Sequence, residues 1–240
     1  MGRIIWLDTI DSTNSEALRR LPELEGGTVL AARDQTAGRG QRGNTWFTEP
    51  GKNLTFSLIL KDLPLSAPEA MRICVLSSVA VACFLESRGV QASIKWPNDI
   101  YTGGRKICGM LIENTLGPGG RVVASVVGIG INVNQTVFPQ LANATSLALC
   151  TGREYALEPA LEDFLALFEG LLPQLSSEQL LSAYSGRLFR KGVSARYHDL
   201  LTDREYQGVI QGVEPDGRLH IRSLDGEDYL YRFTEVSYIL

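Results

Sequence analysis

Apolar and polar positions alternate in several short stretches of the chain, and one long apolar stretch lies among them. Residues 28–32 and 54–60 are predicted to form strands, because their apolar side chains recur in the pattern of half-buried or buried strands. Ser66 and Glu69 have the spacing of a capping box. They predict a long, mostly apolar helix that begins there and ends near Gly89.

The middle of the chain predicts a hairpin and a long strand. Residues 91–96 are predicted to form a short strand that Pro97 ends. Residues 100–101 and 106–113 flank Gly103-Gly104, which is typical of a tight turn. Residues 121–134 are predicted to form a long strand.

The last part of that strand has one bare face. Apolar residues such as Ile129 fall on one side, whereas the other side carries Gly128 and Gly130 and no side chain before Asn132. Such a face is typical of a strand against which a flat ligand lies, or of glycines on which a helix packs closely. The strand alone leaves both interpretations open.

Near the N-terminus, Thr13 and Glu16 also have capping-box spacing and predict a short amphipathic helix. Ser12, Thr13 and Asn14 would then lie where free N–H groups and the positive end of the helix dipole are available to a ligand. Plain capping of the helix is the alternative.

The C-terminal part is predicted to differ in architecture. Two helices are expected at residues 158–172 and 177–184, and after Gly186 the chain changes to short strands with Asp-Gly turns. Four strands are predicted, at residues 193–197, 206–213, 218–224 and 228–233. They would form a small β-barrel, so we place a boundary near Gly186, between domains of residues 1–186 and 187–240.

A glycine-rich loop at residues 38–46 carries candidate chemistry. Its glycines fit G-x-G-x-x-G, but Pro50, Gly51 and a strand follow, where a dinucleotide-binding fold needs a helix. Neither a P-loop nor the kinase elements that would accompany such a loop are in the sequence. What remains is a loop in which Arg39 and Arg42 could close over an anion, or a merely solvated turn.

Composition narrows the class of protein. With 240 residues, 44% of them hydrophobic and 21% charged, the chain is long enough for a large domain and a small appendage. Its formal net charge of −4 disfavours nucleic-acid binding, although charge can be segregated locally.

The remaining features favour a cytoplasmic protein. No signal-peptide pattern opens the chain, and the longest apolar stretch, residues 73–85, is expected to be too short and too polar to span a bilayer. Four cysteines without a C-x-x-C pair argue against structural zinc and are predicted to be reduced thiols.

Four segments together resemble the catalytic domain of biotin–protein ligases, in the family's order and at its spacing. They are residues 11–14 (DSTN), 35–46 (QTAGRGQRGNTW), 95–99 with 105–109 (KWPND and RKICG) and 128–134 (GIGINVN). The resemblance covers nearly the whole chain. It implies an α+β fold, in which a mixed β-sheet packs with helices and an SH3-like β-barrel follows.

The resemblance also implies roles for individual residues. Biotin would be held by Ser12, Thr13, Asn14, Gln35, Gly38, Arg39, Gly40, Gln41 and Lys106. ATP would be held by Arg42, Trp46, Lys95, Asn98 and Asn132, with Trp46 stacked on adenine. The catalytic residues would be Lys106, Arg39 and Asp99, and Asp99 would also contact Mg²⁺.

The implied reaction joins biotin to AMP and then passes biotin to a lysine of a biotin carboxyl carrier protein, as in acetyl-CoA carboxylase. The sequence contains no catalytic triad, and this chemistry needs none, because charge stabilisation and positioning suffice. Asp99 is a candidate to accept the proton of the acceptor lysine. A monomer and a homodimer are both compatible with the sequence.

Two departures and three alternatives accompany the resemblance. Gln41 stands where bacterial members commonly have arginine, and the chain begins at the catalytic domain, so we expect no DNA-binding repressor activity. A lipoate or octanoate ligase is one alternative, but its R-R-x-S-G-G-G segment is missing. A non-catalytic effector-binding module and a protein-interaction scaffold are the others.

Overall fold

The computed structural model describes residues 2–139 and 143–239, without the side chain of Arg42. The chain has an α+β fold with two β-sheets. The seven strands of the larger sheet are β1 (Ile4–Ile10), β2 (Val29–Gln35), β3 (Leu54–Lys61), β4 (Ser93–Lys95), β5 (Asp99–Thr102), β6 (Arg105–Leu116) and β7 (Val122–Ile131). The α-helices are α1 (Thr13–Arg19), α2 (Met71–Glu86), α3 (Leu147–Thr151), α4 (Leu157–Leu171) and α5 (Glu178–Gly186).

The larger sheet is mixed, as the resemblance implied. Its strand order is β1-β2-β3-β7-β6-β5-β4. β1 and β2 are parallel, and the other neighbours are antiparallel. The register of β6 and β7 pairs Gly109 with Gly130, and that of β3 and β7 pairs Ser57 with Gly128. Small residues therefore meet in the middle of the sheet.

Strand β3 is buried on both faces, and the two faces differ. Leu54, Phe56 and the other even-numbered apolar residues belong to the main hydrophobic core, together with residues of α2 and α4. Ile59 belongs to a second cluster under α1. Ser57 lies on the α1 side of the sheet as well, because side chains alternate along a strand.

Helix α2 confirms the predicted capping box, with a difference at its start. Ser66 and Glu69 make both capping contacts, but they cap a single 3₁₀ turn, Ala67–Glu69, that leads into the α-helix. By length and composition the stretch Ala67–Glu86 could cross a membrane, contrary to the sequence expectation. However, 67% of its apolar window is buried inside the molecule, which accounts for its composition.

The first helix begins one residue earlier than the capping pattern predicted. Ser12, not Thr13, is the N-cap, and its Oγ accepts from the backbone N–H of Ser15 at 3.4 Å. Thr13 belongs to the helix and is buried. Asp11 precedes the cap, and its carboxylate accepts two hydrogen bonds of 2.8 Å from the guanidinium of Arg19.

The Asp11–Arg19 pair predicts a pH dependence of stability. The hydrogen bonds from Arg19 lower the pKa of Asp11 from 3.8 to about 2. Because the pKa is lower in the folded state, the pair stabilises the fold above about pH 4, and this contribution disappears as the pH falls through about 2. Between these pH values the free energy of unfolding, measured with urea, should fall more steeply for the native chain than for Asp11→Asn. Equal slopes would contradict the assignment, and Asp8→Asn, which removes a fully exposed carboxylate, is the control.

The five C-terminal strands form their own antiparallel sheet. They are β8 (Ser194–Asp199), β9 (Arg204–Val213), β10 (Leu219–Ser223), β11 (Asp228–Tyr231) and β12 (Val236–Tyr238), in the order β11-β10-β9-β8-β12. β12, like α3, was not predicted. Among the described residues β11 and β12 are edge strands that do not pair with each other, so the predicted closed barrel is not confirmed.

The two sheets share contacts near the predicted boundary. Helix α5 ends at Gly186, where the boundary was placed. Yet one hydrophobic cluster continues from α2 to residues of the second sheet such as Tyr197 and Ile210. Trp96 donates from its indole nitrogen to the carbonyl of Gly217 at 3.1 Å. The division into two domains therefore stays a prediction.

Candidate active site

A cavity of about 340 Å³ lies where the larger sheet, α1, the glycine-rich loop and the C-terminal residues 233–238 meet. Most of the residues predicted from the sequence line it. These are Ser12, Thr13, Asn14, Gln35, Arg39, Gly40, Gln41, Trp46, Lys95, Asn98, Asp99 and Lys106. Gly38 and Asn132 are not in its lining, and the side chain of Arg42 lies outside the described part of the chain.

One end of the cavity is formed by uncharged polar side chains. Gln35 accepts from the backbone N–H and the hydroxyl of Thr13, at 2.8 and 3.1 Å. Ser57 Oγ lies 2.8 Å from Thr13 Oγ1 and 2.6 Å from Asn14 Oδ1. Thr13, Asn14 and Ser57 are all buried. Ser57 was not predicted to belong to a site, because a serine within an apolar strand carries no local signal of one.

The bare face of β7 agrees in part with both interpretations that the sequence left open, because Gly128 lies under Asn14 of helix α1 and both Gly128 and Gly130 line the cavity. A Cβ atom at Gly128 would lie 2.0 Å from Asn14 Oδ1. A Cβ atom at Gly130 would lie 2.3 Å from the indole ring of Trp46. The glycines therefore allow two side chains of the protein itself to approach the sheet.

The glycine-rich loop is a small hairpin. Trp46 donates its backbone N–H to the carbonyl of Gly38 at 2.9 Å, and Gly40 donates to Asn44 at 2.7 Å. A Cβ atom at Gly38 would lie 2.3 Å from the carbonyl oxygen of Trp46. Gly38 thus permits the close approach of the two arms. The hairpin brings Arg39 and Trp46 to the cavity from opposite arms.

Arg39 is held by a carboxylate that the sequence did not suggest. Its two terminal nitrogens donate to the two oxygens of Glu113, at 2.7 and 3.2 Å. Glu113 lies on β6, 74 positions further along the chain. Glu113 was not predicted as a site residue, because a glutamate at the end of an apolar strand is most simply interpreted as a solvated surface residue.

Lys106 forms the cationic centre of the cavity. Its ammonium nitrogen lies 2.7 Å from Asp99 Oδ1 and 5.7 Å from the centre of the Trp46 ring. The ideal Cβ position of Gly109 is 3.1 Å from the same nitrogen, so a side chain there would crowd it. The ion pair therefore holds the lysine cation in the cavity wall, beside the indole ring.

A second lysine, Lys95, lies beside this pair between two aromatic rings. Its ammonium nitrogen is 5.4 Å from the centre of the Tyr101 ring and 5.3 Å from that of Tyr238. Burial lowers the pKa of Lys95, against the opposing effect of Asp99. Two lysines and a single carboxylate in the same wall favour the binding of an anion.

The two predicted asparagines differ in placement. Asn98 lines the cavity and donates from its amide to the carbonyl of Met110. Asn132 is buried and donates to the carbonyl of Thr145 at 3.0 Å. Because β7 ends at Ile131, the alternation of faces does not extend to Asn132. Its contact with Thr145 fixes the segment after β7, and its role toward a nucleotide stays a prediction.

The C-terminal residues add a wall that sequence analysis did not foresee. Phe233, Val236, Ser237 and Tyr238 line the cavity. Phe233 packs edge-on against Trp96, with ring centres 6.2 Å apart. The second sheet therefore contributes to the site.

The described residues offer few acidic ligands for a metal ion. Within residues 2–139 and 143–239, no three His, Cys, Asp or Glu side chains are grouped closely enough to hold a metal. Asp99 offers a carboxylate to the cavity. Such a donor set fits Mg²⁺ when the ion arrives with phosphate oxygens, since protein sites for Mg²⁺ commonly use one or two carboxylates together with substrate phosphates.

Comparisons with known proteins agree on one family. Residues 6–132 match the model of the biotin/lipoate A/B protein ligase family. The bifunctional ligase/repressor BirA of Escherichia coli K12 is 33% identical, over 91% of this chain and 68% of its own length. The biotin–[acetyl-CoA-carboxylase] ligase of Paracoccus denitrificans is 32% identical, over 92% of this chain and 94% of its own.

A solved structure has the same fold. The biotin protein ligase of Aquifex aeolicus in complex with biotin and ATP superposes with a TM-score of 0.81, at 26% identity, over 99% of this chain and 98% of that one. Sequence and structural similarity thus extend over the cavity and over the C-terminal sheet. The chain belongs to the biotin/lipoate A/B protein ligase family, and it is a ligase.

Proposed function

We propose that the protein is an ATP-dependent biotin–protein ligase that forms biotinyl-5′-AMP and transfers biotin to a specific lysine of a biotin carboxyl carrier protein. One observation carries the proposal. A single cavity has uncharged hydrogen-bonding side chains at one end and, further along its wall, the Lys106–Asp99 pair and the indole ring of Trp46. The relatives' names and the Aquifex aeolicus complex with biotin and ATP support the same ligands here.

The polar end suits the ureido ring of biotin. That ring is neutral but polar, so its burial is favourable only where its N–H and C=O groups find partners. Three buried side chains, Thr13, Asn14 and Ser57, offer donors and acceptors in one network with the half-buried Gln35. A charged ligand head would find no counter-charge among these four side chains, which favours a neutral one.

The cationic wall suits the meeting of two anions. In the first step a carboxylate oxygen of biotin bonds to the α-phosphorus of ATP, and pyrophosphate leaves with the electrons of the broken P–O bond. Lys106 would stabilise the charge that gathers between the two reactants, and Arg39 from the loop would add a second cation. Lys95, and Arg42 from the loop, are proposed to face the phosphates. Mg²⁺, held by phosphate oxygens and Asp99, would neutralise part of their charge.

In the second step the amine nitrogen of the acceptor lysine bonds to the acyl carbon, AMP leaves, and the nitrogen loses a proton. A free lysine has a pKa near 10.4, so a cationic environment that favours its neutral form would help. Asp99 remains the candidate proton acceptor. Its 2.7 Å contact with the ammonium nitrogen of Lys106 supports a role in positioning Lys106 as well.

Trp46 is proposed to stack on adenine, with Asn98 and Asn132 near its polar edge. Trp46→Ala should weaken ATP binding by about 1–3 kcal/mol, the range measured for base–aromatic stacking. Calorimetric titration with ATP measures the change, and the melting temperature reports whether the fold is intact. Phe47→Ala, which removes an exposed neighbouring ring, is the matched control. Equal ATP affinity in the native chain and a folded Trp46→Ala variant would contradict the stacking.

Further properties follow from the same proposal. The acceptor is expected to be the carrier domain of a biotin-dependent carboxylase, by analogy with the Paracoccus denitrificans relative. A net charge of −4 supports the absence of repressor activity on DNA. We propose a cytoplasmic location, no membrane association, and either a monomer or a homodimer.

The decisive experiment is ATP–pyrophosphate exchange with biotin and, separately, with lipoate. Exchange that depends on biotin supports the proposal, whereas exchange that depends on lipoate would replace it with a lipoate ligase. Mass analysis of a carrier domain after incubation with enzyme, ATP and biotin tests the second step. Biotin binding without AMP production would indicate an effector-binding module.

A further inference from the structure

Glu113 connects two parts of the cavity that are distant in sequence. Its Oε1 accepts from one terminal nitrogen of Arg39 at 2.7 Å, and its Oε2 accepts from the other at 3.2 Å. Oε2 also accepts from Asn14 Nδ2 at 2.9 Å. Both oxygens are therefore in use: Oε1 binds the glycine-rich loop, and Oε2 binds both the loop and the polar end of the cavity.

Glu113 helps to orient the side-chain amide of Asn14. The two N–H bonds of the Asn14 amide point to Glu113 Oε2 and to the carbonyl oxygen of Leu111, at 2.9 and 3.0 Å. With both donors engaged, Oδ1 is turned toward Ser57 and over Gly128. Both donors of the amide are thus used within the protein, and only Oδ1, an acceptor with a second lone pair, is left with capacity to bind a ligand.

The contact with Arg39 is of the strong, directional kind. A guanidinium and a carboxylate that share two parallel hydrogen bonds fix each other's orientation as well as their distance. The side chains of Arg39 and Glu113 are 41% and 26% exposed, so solvent screens the pair in part. Arg39 has five N–H donors, so it can keep both bonds and still donate to an anion in the cavity.

We propose that Glu113 is a positioning residue for the ligase reaction. Through Arg39 it holds the glycine-rich loop against β6, and through Asn14 it presents an acceptor oxygen to the N–H groups of a ureido ring. Substrate recognition and loop position then depend on one carboxylate. This inference rests on the proposed function, since it assigns Arg39 and Asn14 to biotin.

The test is a double-mutant cycle between Glu113→Gln and Arg39→Ala, with kcat/KM for biotin in pyrophosphate exchange as the readout. Glu113→Gln should lower kcat/KM by about tenfold or more, which is the effect of losing a charge-assisted hydrogen bond. In the Arg39→Ala chain the same substitution should cost measurably less, because the Arg39 contact is already gone and only the contact with Asn14 is left to lose. A purely structural role would instead give the same loss in both chains.

Glu86→Gln is the matched control. Glu86 makes an equivalent two-bond pair with Arg187, at 2.8 and 2.9 Å and 34% side-chain exposure, and it does not line the cavity. The Glu86→Gln variant should keep kcat/KM for biotin within about twofold of the native value, because a partly exposed ion pair away from the site contributes little. An unchanged kcat/KM in Glu113→Gln, or equal losses in the two Glu variants, would overturn the proposal.

Two further measurements keep the outcome interpretable. If Glu113→Gln does not fold, as judged by its melting temperature, Glu113→Asp replaces it in the same cycle. Cleavage by trypsin after Arg39 reports the loop without any substrate, and it should be faster in Glu113→Gln than in Glu86→Gln. Equal cleavage rates in the two variants would refute the contact between Glu113 and the loop, whether or not the protein has exchange activity. A native chain without exchange activity would instead refute the proposed function.

Discussion

Replacement of Lys106 by alanine is expected to slow the formation of biotinyl-adenylate by about 10²–10³-fold, the usual cost of one preorganised charge-stabilising donor. Lys106 lies 2.7 Å from Asp99 and lines the cavity beside the Trp46 ring. Its removal takes a positive charge from the wall and leaves the Asp99 carboxylate without that partner. Both changes make the electrostatic potential of the cavity less favourable for the anionic reactants.

The measurement is the rate of biotin-dependent pyrophosphate exchange at saturating biotin and ATP. Lys61→Ala is the control, because Lys61 ends β3 and is not in the cavity lining. That variant should retain the native rate. An exchange rate for Lys106→Ala close to that of the native chain would show that the cation at this position does not act on the reaction.

The second large effect is expected from Gly128→Ala. The new methyl group would lie 2.0 Å from Asn14 Oδ1, a distance that real atoms do not tolerate, so the amide must move. Its bonds to Ser57, Leu111 and Glu113 cannot all survive that movement. We expect the Kd for biotin to rise by about 10–100-fold, because buried polar groups of the site lose their partners.

Titration calorimetry with biotin measures this change. The matched control is Gly212→Ala in β9, since a Cβ atom at Gly212 meets nothing within 4 Å and the backbone there is ordinary for any residue. Unfolding in urea checks that Gly128→Ala is folded at the temperature of the titration. Native biotin affinity in a folded Gly128→Ala chain would mean that Asn14 does not hold the ligand.

The local patterns of the sequence predicted most of the elements. Alternation predicted β3 and β7, the Gly103-Gly104 pair predicted the turn between β5 and β6, and both glycines have positive φ. These signals succeed because they depend on residues two to four positions apart. The same locality explains what was missed. The short helix α3 and strand β12 have too few residues for a period to emerge.

The residues of the site also fall into those that the sequence predicted and those that only the fold revealed. The motif residues Arg39, Trp46, Lys95, Asp99 and Lys106 were found in the sequence, and the fold brings all of them to one cavity. Three contributions were not visible: Ser57, Glu113 and the wall formed by residues 233–238. Each acts through partners at least 43 positions away along the chain or through a packed sheet. Local periodicity and motif spacing cannot predict such contacts, because the partners are far apart in the sequence.

The sequence by itself determined which residues could carry the reaction, because side-chain chemistry and short-range backbone preference are local properties. The tertiary structure decided where these residues point. Packing turned Asn132 toward Thr145 and laid the Trp46 ring over Gly130. It also joined Arg39 to a carboxylate on another strand. Such choices depend on the pairing register of β6 and β7 and on the volume left between them, which only the folded chain defines.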